Sequence, residues 1–287
     1  MASLDENLVG RIKTRQIELE EALLIIGGCD SDNKSEVYKS KLAGLIDSFY
    51  VGCPRAANIA QCKVESLSFE EQTEVGLALF QYVWEGWTKS SRYVHDTSSI
   101  FTNQLPQVID YHVDPEKSKP VGNCQGLTML YAVLGIRMGL DICMGKLNWQ
   151  DSDGKPQGEH TFCALESDGK RVLVENTSEA GFDWDMSGFT DRYEQSNIFF
   201  TDIDALAAVA FSERGYLRAK KKNFKEALSD YNDALSLLPE YNLVLVKRAL
   251  IKAKLNDPQG AIADYDEAIK QNPFWSVPHY NKRMIGN

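Results

Sequence analysis

A cysteine, a histidine and a glutamate occur in an order that could support covalent catalysis on an amide. Cys124 comes just before apolar residues at helical spacing, which predict a helix that begins there and ends at Gly139. The first turn of a helix presents free N–H groups and a partial positive charge, and both favour a thiolate over a thiol. Cys124 is therefore the predicted nucleophile.

The histidine and the glutamate fall on two predicted strands that flank a turn at Asp168-Gly169. The segments His160–Leu165 and Arg171–Thr177 are rich in apolar residues, and the turn between them predicts a β-hairpin. Antiparallel pairing about this turn brings His160 and Glu175 to a similar level, within about one residue step. A nucleophile, a base and an orienting acid would then share one cleft, as acyl transfer to sulfur requires.

Asn176, the residue after Glu175, is the alternative third member of this predicted triad. In a flat strand it faces the other way, but a bulge could exchange the two side chains. For the oxyanion that forms during acyl transfer, the sequence offers the backbone N–H of Cys124. A polar side chain such as Asn103, Gln104 or Asn123 could be a second donor.

The remaining thiols and imidazoles predict no metal and no organic cofactor. The chain has six cysteines, no C-x-x-C pair and only four histidines, which argues against a zinc site and a disulfide framework. We interpret Cys143 and Cys163 as small core residues. His95 and His112 have no matching partner in the sequence, and we interpret both as structural or surface residues.

The C-terminal part contains an internal repeat. Six positions recur at one constant spacing, and five of them keep residue size or identity. The pairs are Gly215/Ala249, Phe224/Pro258, Ala227/Ala261, Tyr231/Tyr265, Ala234/Ala268 and Pro239/Pro273. This spacing is the period of the tetratricopeptide repeat (TPR), a helical hairpin in which small residues allow close helix contact. We predict about two and a half TPR repeats, which bind a protein or peptide partner.

The helix faces of this array lack a known binding pattern. Some TPR proteins grip a terminal carboxylate with Lys, Asn and Arg, whereas the faces here carry Glu213, Tyr216, Val246, Lys247 and Leu250. We therefore predict that the array does not capture the C-terminal tail of a chaperone in that way.

The N-terminal region is predicted to be a helical scaffold. Apolar residues over Leu8–Ile26 predict one helix that ends at Gly27-Gly28, and a second helix follows the polar segment that starts at Asp30. Ser68 and Glu71 have the spacing of a capping box at the start of a third helix. The predicted organisation is a helical lead-in over residues 1–66, a core over 67–200 and TPR repeats over 204–287.

Three motifs in the middle of the chain resemble the transglutaminase-like core. They are Gly122-Asn-Cys-Gln-Gly-Leu-Thr, Gly158-Glu-His-Thr-Phe and Val172-Leu-Val-Glu-Asn-Thr177. The chain is most similar to bacterial proteins that join this core to C-terminal TPR repeats. The resemblance implies an α+β fold, in which a papain-like core packs a helix on a small antiparallel sheet, between the helical lead-in and the all-α TPR array.

The resemblance also implies a reaction. Cys124 would attack a glutamine side-chain amide or a peptide bond, and His160 would act as general base and acid. Water would resolve the thioester in a protease or deamidase, and an amine would do so in a transglutaminase. Glu175 stands where the family usually has Asp, and its extra methylene could change the orientation of the imidazole.

Composition and charge exclude several other classes of protein. The 287 residues are 43% hydrophobic and 25% charged, which is typical of globular proteins. A net charge of −10 argues against nucleic-acid binding through bulk charge. The sequence shows no membrane-spanning run and no secretory signal, so we expect a cytoplasmic protein that does not bind membranes.

Two hypotheses about function follow from the sequence. The first is a cysteine-dependent amide hydrolase or acyltransferase whose TPR repeats bind the protein substrate or another partner. The second is a protein-interaction scaffold on a transglutaminase-like fold that performs no chemistry. The altered acid position and the short repeat array motivate the second hypothesis.

Overall fold

The fold is known from a computed structural model, which describes residues 7–29, 31–61, 66–85, 104–114, 124–150, 156–176, 181–183 and 197–285. Within these ranges the chain combines helices with a four-stranded antiparallel sheet, so the predicted α+β class is confirmed. None of the helices described here is both long and apolar enough to cross a membrane.

The N-terminal region is helical, but its first helix is shorter than the sequence predicted. The described helices before residue 66 are α1 (Leu8–Lys13), α2 (Leu19–Ile26), α3 (Asp32–Gly52) and α4 (Pro54–Gln61). A single helix over Leu8–Ile26 is wrong because the chain turns at Arg15, whose φ is +52°. The end of α2 is as predicted, since Gly28 has a φ of +102°, which glycine adopts without strain.

Two further helices lead to the core. These are α5 (Phe69–Glu85) and α6 (Leu105–Val113). The predicted capping box is confirmed, because the Ser68 N–H donates to Glu71 Oε2 (2.9 Å) and the Glu71 N–H donates to Ser68 Oγ (3.4 Å). At the next residue, the Gln72 amide donates to the Asp141 carboxylate (2.8 Å) and accepts from the Asp141 N–H (2.7 Å). This reciprocal pair joins α5 to the chain just before the sheet.

The core consists of one buried helix packed against the sheet. Its elements are α7 (Cys124–Arg137), β1 (Ile142–Gln150), β2 (Pro156–Ser167), β3 (Lys170–Val174) and β4 (Asn197–Thr201). The strand order is β3-β2-β1-β4, and every pair is antiparallel. Gly139, with a φ of +81°, follows the end of α7, close to the predicted end of that helix.

The predicted hairpin is confirmed, and two further strands were missed. Strands β2 and β3 pair across Asp168-Gly169, where both residues have positive φ, as in a two-residue hairpin turn. Strand β1 was not predicted because no tight turn or strong alternation marks it. Strand β4 was not predicted either, and it pairs with β1, so the sheet continues to Thr201, one residue past the predicted end of the core.

The C-terminal part is an array of helices. Its members are α8 (Ala205–Lys220), α9 (Phe224–Leu237), α10 (Asn242–Lys254), α11 (Pro258–Gln271) and α12 (Ser276–Ile285). Small residues make the close helix contacts: a Cβ added to Gly215 would lie 2.8 Å from the Tyr231 ring. Tyr231 and Tyr265 are both buried at equivalent positions of successive hairpins, as the repeat predicts.

The repeat extends to buried ion pairs that the sequence analysis did not single out. In each hairpin an aspartate of the second helix binds two cations of the first, at N–O distances of 2.6 to 2.8 Å. The first cluster is Asp230 with Arg214 and Arg218, and the second is Asp264 with Arg248 and Lys252. All three positions recur at the spacing of the repeat, so equivalent charges hold both hairpins closed.

We expect Asp230→Ala to lower the stability of the array. Asp230 is fully buried, so its loss leaves two guanidinium groups without their shared carboxylate, at a cost of about 3 kcal/mol. Thermal unfolding followed by circular dichroism would measure this cost. Asp266→Ala is the matched control, because Asp266 pairs with Lys282 at a half-exposed site where removal costs less than about 1 kcal/mol. An equal decrease in melting temperature for both variants would contradict the role of Asp230 in holding the hairpin closed.

The array packs against the rest of the chain. Lys13 Nζ of α1 donates to Ser236 Oγ of α9 (2.8 Å), and Gln104 Nε2, just before α6, donates to the Ala210 carbonyl of α8 (3.1 Å). Residues of α8 to α11 belong to the same hydrophobic core as α2, α5 and α7. A short array gains from this packing because it lacks the stacked neighbours that stabilise a longer one.

Candidate active site

Cys124 is held at the start of the most buried helix of the core. Every residue of α7 from Gly126 to Gly135 is buried, so neighbouring elements surround the helix. Thr128 Oγ1, one turn after Cys124, donates to the Thr161 carbonyl (3.2 Å) and ties α7 to β2 beside His160. Cys124 itself is half-buried. Its sulfur therefore lies at the rim of the core on a helix with little freedom to move.

His160 and Glu175 form a buried pair on one face of the sheet. Their side chains are 11% and 5% exposed, and the imidazole Nε2 is hydrogen-bonded to Glu175 Oε2. Cys163 pairs with Val174, so continuing this register by one residue places Glu175 opposite Phe162. Phe162 is two residues from His160, so the side chains of all three lie on the same face of the sheet. The sequence had predicted a separation of one step, so the two residues are diagonal neighbours.

The diagonal placement of residue 175 relative to His160 explains why a glutamate, rather than a shorter aspartate, can reach the imidazole. Diagonal neighbours on an antiparallel pair are about 7–8 Å apart, farther than residues directly opposite. A glutamate has the extra methylene needed to span that separation. The backbone at this point is fixed as well, since the Glu175 N–H donates to the Gly181 carbonyl (2.7 Å).

His160 is also hydrogen-bonded to Cys124, so the imidazole lies between the thiol and the carboxylate. Burial lowers the pKa of His160, but the hydrogen bonds with Cys124 and Glu175 and their negative charge outweigh burial and raise that pKa to about 10. The ring is therefore an imidazolium at neutral pH. This cation lies beside Cys124 at the N-terminus of α7.

Asn176, the alternative third member, does not reach the histidine. Its side chain is buried and Nδ2 donates to the Val174 carbonyl (3.5 Å), while Oδ1 has no hydrogen-bond partner among the described residues. No bulge interrupts the described pairing of β2 and β3, so alternation along the strand separates the two side chains. Glu175 is the residue that contacts His160.

Of the three side chains offered as oxyanion donors, Gln104 is the one that the structure describes. The prediction for Gln104 is wrong, because this side chain is buried against α8 and donates to the Ala210 carbonyl. Asn103 and Asn123 lie outside the described residues. The backbone N–H of Cys124, at the first position of α7, is the donor that the sequence offered and that the fold retains.

Three of the other described thiols, Cys53, Cys143 and Cys163, are in environments that disfavour the thiolate. Burial and the hydrogen bond to Glu166 raise the pKa of Cys143 to about 11. Burial alone raises the pKa of Cys53, and burial followed by the charge of Cys143 raises that of Cys163. Cys163 Sγ donates to the Thr128 carbonyl (3.6 Å), as expected of a core residue.

The histidine assignments are resolved in part. His112 is buried, with its ring nitrogens against the carbonyls of Val108 (2.9 Å) and Val83 (3.3 Å), so its position is structural. His95 lies outside the described residues. Among the residues that the structure describes, no group of three or more His, Cys, Asp or Glu side chains is arranged to hold a metal ion.

Two neighbours of the site were missed by the sequence analysis. The Phe162 ring stacks beside His160 with centroids 6.4 Å apart and an interplanar angle of 22°. Gly145 makes room for this ring, since a Cβ there would lie 2.3 Å from Phe162. The period of two along β2 places Phe162 on the face of His160, but the need for glycine at 145 depends on strand β1, which was not predicted.

Comparisons with known proteins give no relative from which a function could be transferred. No protein-family model, curated protein or solved structure gives a significant match to the chain.

Proposed function

We propose that this protein is a cysteine-dependent amide hydrolase or acyltransferase. The observation that carries the proposal is the position of His160, which is hydrogen-bonded to Cys124 on one side and to Glu175 on the other. A nucleophile, an imidazole and an orienting carboxylate in contact form the arrangement used for covalent acyl transfer. The site needs no metal or organic cofactor for this chemistry.

The proposed reaction has two steps. The Cys124 thiolate attacks the carbonyl carbon of an amide, and the backbone N–H of Cys124 stabilises the oxyanion. The His160 imidazolium then gives its proton to the amide nitrogen as the C–N bond breaks, which releases an amine and leaves the acyl group on sulfur as a thioester. In the second step neutral His160 removes a proton from water or an amine, which attacks the thioester and restores the thiolate.

Each neighbour of His160 has a distinct role in this scheme. Glu175 fixes the ring through Nε2, which leaves Nδ1 available toward Cys124. The carboxylate also stabilises the imidazolium that must form in each cycle. Phe162 and the buried α7 limit movement of the ring and of the sulfur, so the reacting groups are positioned before substrate binds.

The proposed fold family is a transglutaminase-like, papain-like core followed by TPR repeats. A cysteine at the start of a buried helix, packed on an antiparallel sheet that supplies the histidine and the acid, supports the first part. Ion-pair clusters that recur at the spacing of the repeat support the second. On this view α12 is the first helix of a third repeat, and the array binds a protein substrate or partner.

Selective alkylation tests whether the thiol is activated. With Cys62 replaced by Ser, because it lies outside the described residues, iodoacetamide at pH 7.5 should label Cys124 at least about ten times faster than the other four thiols. His160 stays protonated until pH approaches about 10, so the activating cation persists across the neutral range. Peptide mass spectrometry would give the rate at each cysteine.

His160→Ala supplies the control for this experiment. The variant should slow labelling of Cys124 and leave labelling of Cys143 unchanged, since Cys143 contacts Glu166 rather than His160. Equal rates at all thiols in the native chain, or no effect of His160→Ala, would contradict the proposal.

A further inference from the structure

A cavity lies at the opposite end of α7 from Cys124. It has a volume of about 690 Å³ and is bounded by the α1–α2 turn, the last turns of α7, the start of β1 and the chain that enters α8. Val133 and Arg137, which line it, lie nine and thirteen residues after Cys124, or about 13 and 20 Å along the helix axis. The cavity is therefore separate from the candidate active site.

The floor of this cavity is apolar. Val133 and Ile136 come from the last turns of α7, and Leu140 follows that helix. The other apolar lining residues are Ile17, Leu19, Ile142 and Ile203. Ile136 is 38% exposed, which is unusual for an isoleucine on a helix whose other apolar residues are almost all buried. A cavity of this size with an apolar lining has the dimensions of a small-molecule site.

The wall of the cavity carries an excess of negative charge. Six carboxylates line it, from Glu18, Glu20, Asp141, Glu166, Asp202 and Asp204, and they face the two guanidinium groups of Arg15 and Arg137.

The existing ion pairs do not neutralise this excess. Arg137 binds Glu20, Arg15 binds Asp202 (2.6 Å), and Arg171, which does not line the cavity, binds Glu166 (2.5 Å). Three cations therefore face six carboxylates, and Glu18 forms no ion pair with any described residue. Burial, followed by the nearby charge of Asp202, raises the pKa of Asp204, as expected where carboxylates share a poorly neutralised site.

We propose that this cavity binds a linear aliphatic di- or polyamine. Ammonium groups at the ends of such a molecule would pair with carboxylates on the wall, and its methylene chain would lie on the floor formed by Val133, Ile136 and Ile142. An inorganic cation would pair with the carboxylates but would not cover the apolar floor. An apolar molecule would cover the floor but would leave the carboxylates unpaired. The proposal does not depend on catalysis at Cys124.

The test measures binding of 1,6-diaminohexane to the full chain by calorimetry, before and after alkylation of Cys124. Equal affinity in both states supports the proposal, whereas loss of binding after alkylation places the amine at Cys124 and overturns it. Hexylamine, which has one charge, and Mg²⁺, which has no chain, should each bind at least about fivefold more weakly. Equal binding of Mg²⁺ would show a general electrostatic effect and overturn the proposal.

A thiol in the cavity locates the bound amine. Cys143 lines the wall, so saturating diamine should slow its labelling by N-ethylmaleimide at pH 8 without changing the rate at Cys53. Ile136→Trp should fill the floor and weaken binding at least about tenfold, while Val51→Trp, at an exposed position on α3, should not.

Charge is tested with a second pair of variants. Glu18→Gln should weaken binding by about threefold and Glu226→Gln, at an exposed position on α9, should leave it unchanged. No protection of Cys143, or equal effects of both substitutions in either pair, would overturn the proposal.

Discussion

Replacing Cys124 by alanine should reduce amide turnover by at least about 10³-fold and leave the fold intact. The thiolate forms the covalent intermediate, and Cys124 is the thiol hydrogen-bonded to His160. Cys124 is half-buried at the first position of α7, so losing the sulfur creates little cavity and should change the melting temperature only slightly.

The assay should cover the three outcomes that the chemistry allows. Ammonia release, incorporation of a fluorescent amine and peptide cleavage would be measured on glutamine-containing peptides and on an unfolded protein substrate. Cys143→Ala is the matched control, because it removes a half-buried thiol of the same sheet that lies away from His160, and it should retain full activity.

The result decides between the two hypotheses. Turnover that survives Cys124→Ala would overturn the proposed mechanism. Absence of turnover in the native chain, together with capture of the same partners by native and Cys124→Ala chains, would favour the scaffold.

The second large effect is expected from Glu175→Gln. Glutamine keeps the shape of the side chain but removes the charge that stabilises the imidazolium, so kcat/KM should fall by about 10²- to 10³-fold. Glu166→Gln is the matched control, since Glu166 lies on the same sheet face but pairs with Arg171 at an exposed site. It should leave kcat/KM unchanged.

Glu175→Gln should also change how activity depends on pH. In the native chain His160 is protonated below a pKa of about 10, so the imidazolium is lost only as pH rises through that value. Without the Glu175 charge, the pKa of His160 should fall toward its ordinary value of about 6.5. The alkaline limit of activity, and of Cys124 alkylation, should move to lower pH. An unchanged alkaline limit in Glu175→Gln would show that the carboxylate does not support the imidazolium.

The presence of glutamate at position 175 has a structural interpretation. Because residue 175 is diagonal to His160, the longer side chain compensates for the register of the hairpin. Asn176 remains on the opposite side of the strand, where its amide is buried away from the ring. The two neighbours are separated by strand alternation alone.

Local patterns in the sequence were sufficient for several elements. The Asp168-Gly169 turn and the apolar runs beside it predicted the hairpin, and Ser68 with Glu71 predicted a helix start. The constant spacing of the C-terminal repeat predicted helical hairpins with buried Tyr231 and Tyr265. These features depend on side chains that are close together in the sequence, or on a repeat whose period can be measured in the sequence itself.

Other features depended on contacts between distant segments. Strand β4 joins the sheet by pairing with β1, which lies far from it in the sequence. Neither strand is bordered by a tight turn that would have indicated a hairpin. Gln104 was available in the sequence as an oxyanion donor, but packing of α8 engages it with the Ala210 carbonyl. The break at Arg15 and the cavity beside it arise where α1, α2, α7 and β1 meet.

The sequence by itself determined which residues could react, since Cys124 at a helix start and His160 and Glu175 on a hairpin follow from local periodicity and turn chemistry. Only the tertiary structure decided that the imidazole contacts both partners, that Glu175 rather than Asn176 binds it, and that carboxylates from several segments surround an apolar floor. Periodicity fixes the direction of a side chain within its own element. The distance between elements is set by how their buried faces pack, which no local pattern encodes.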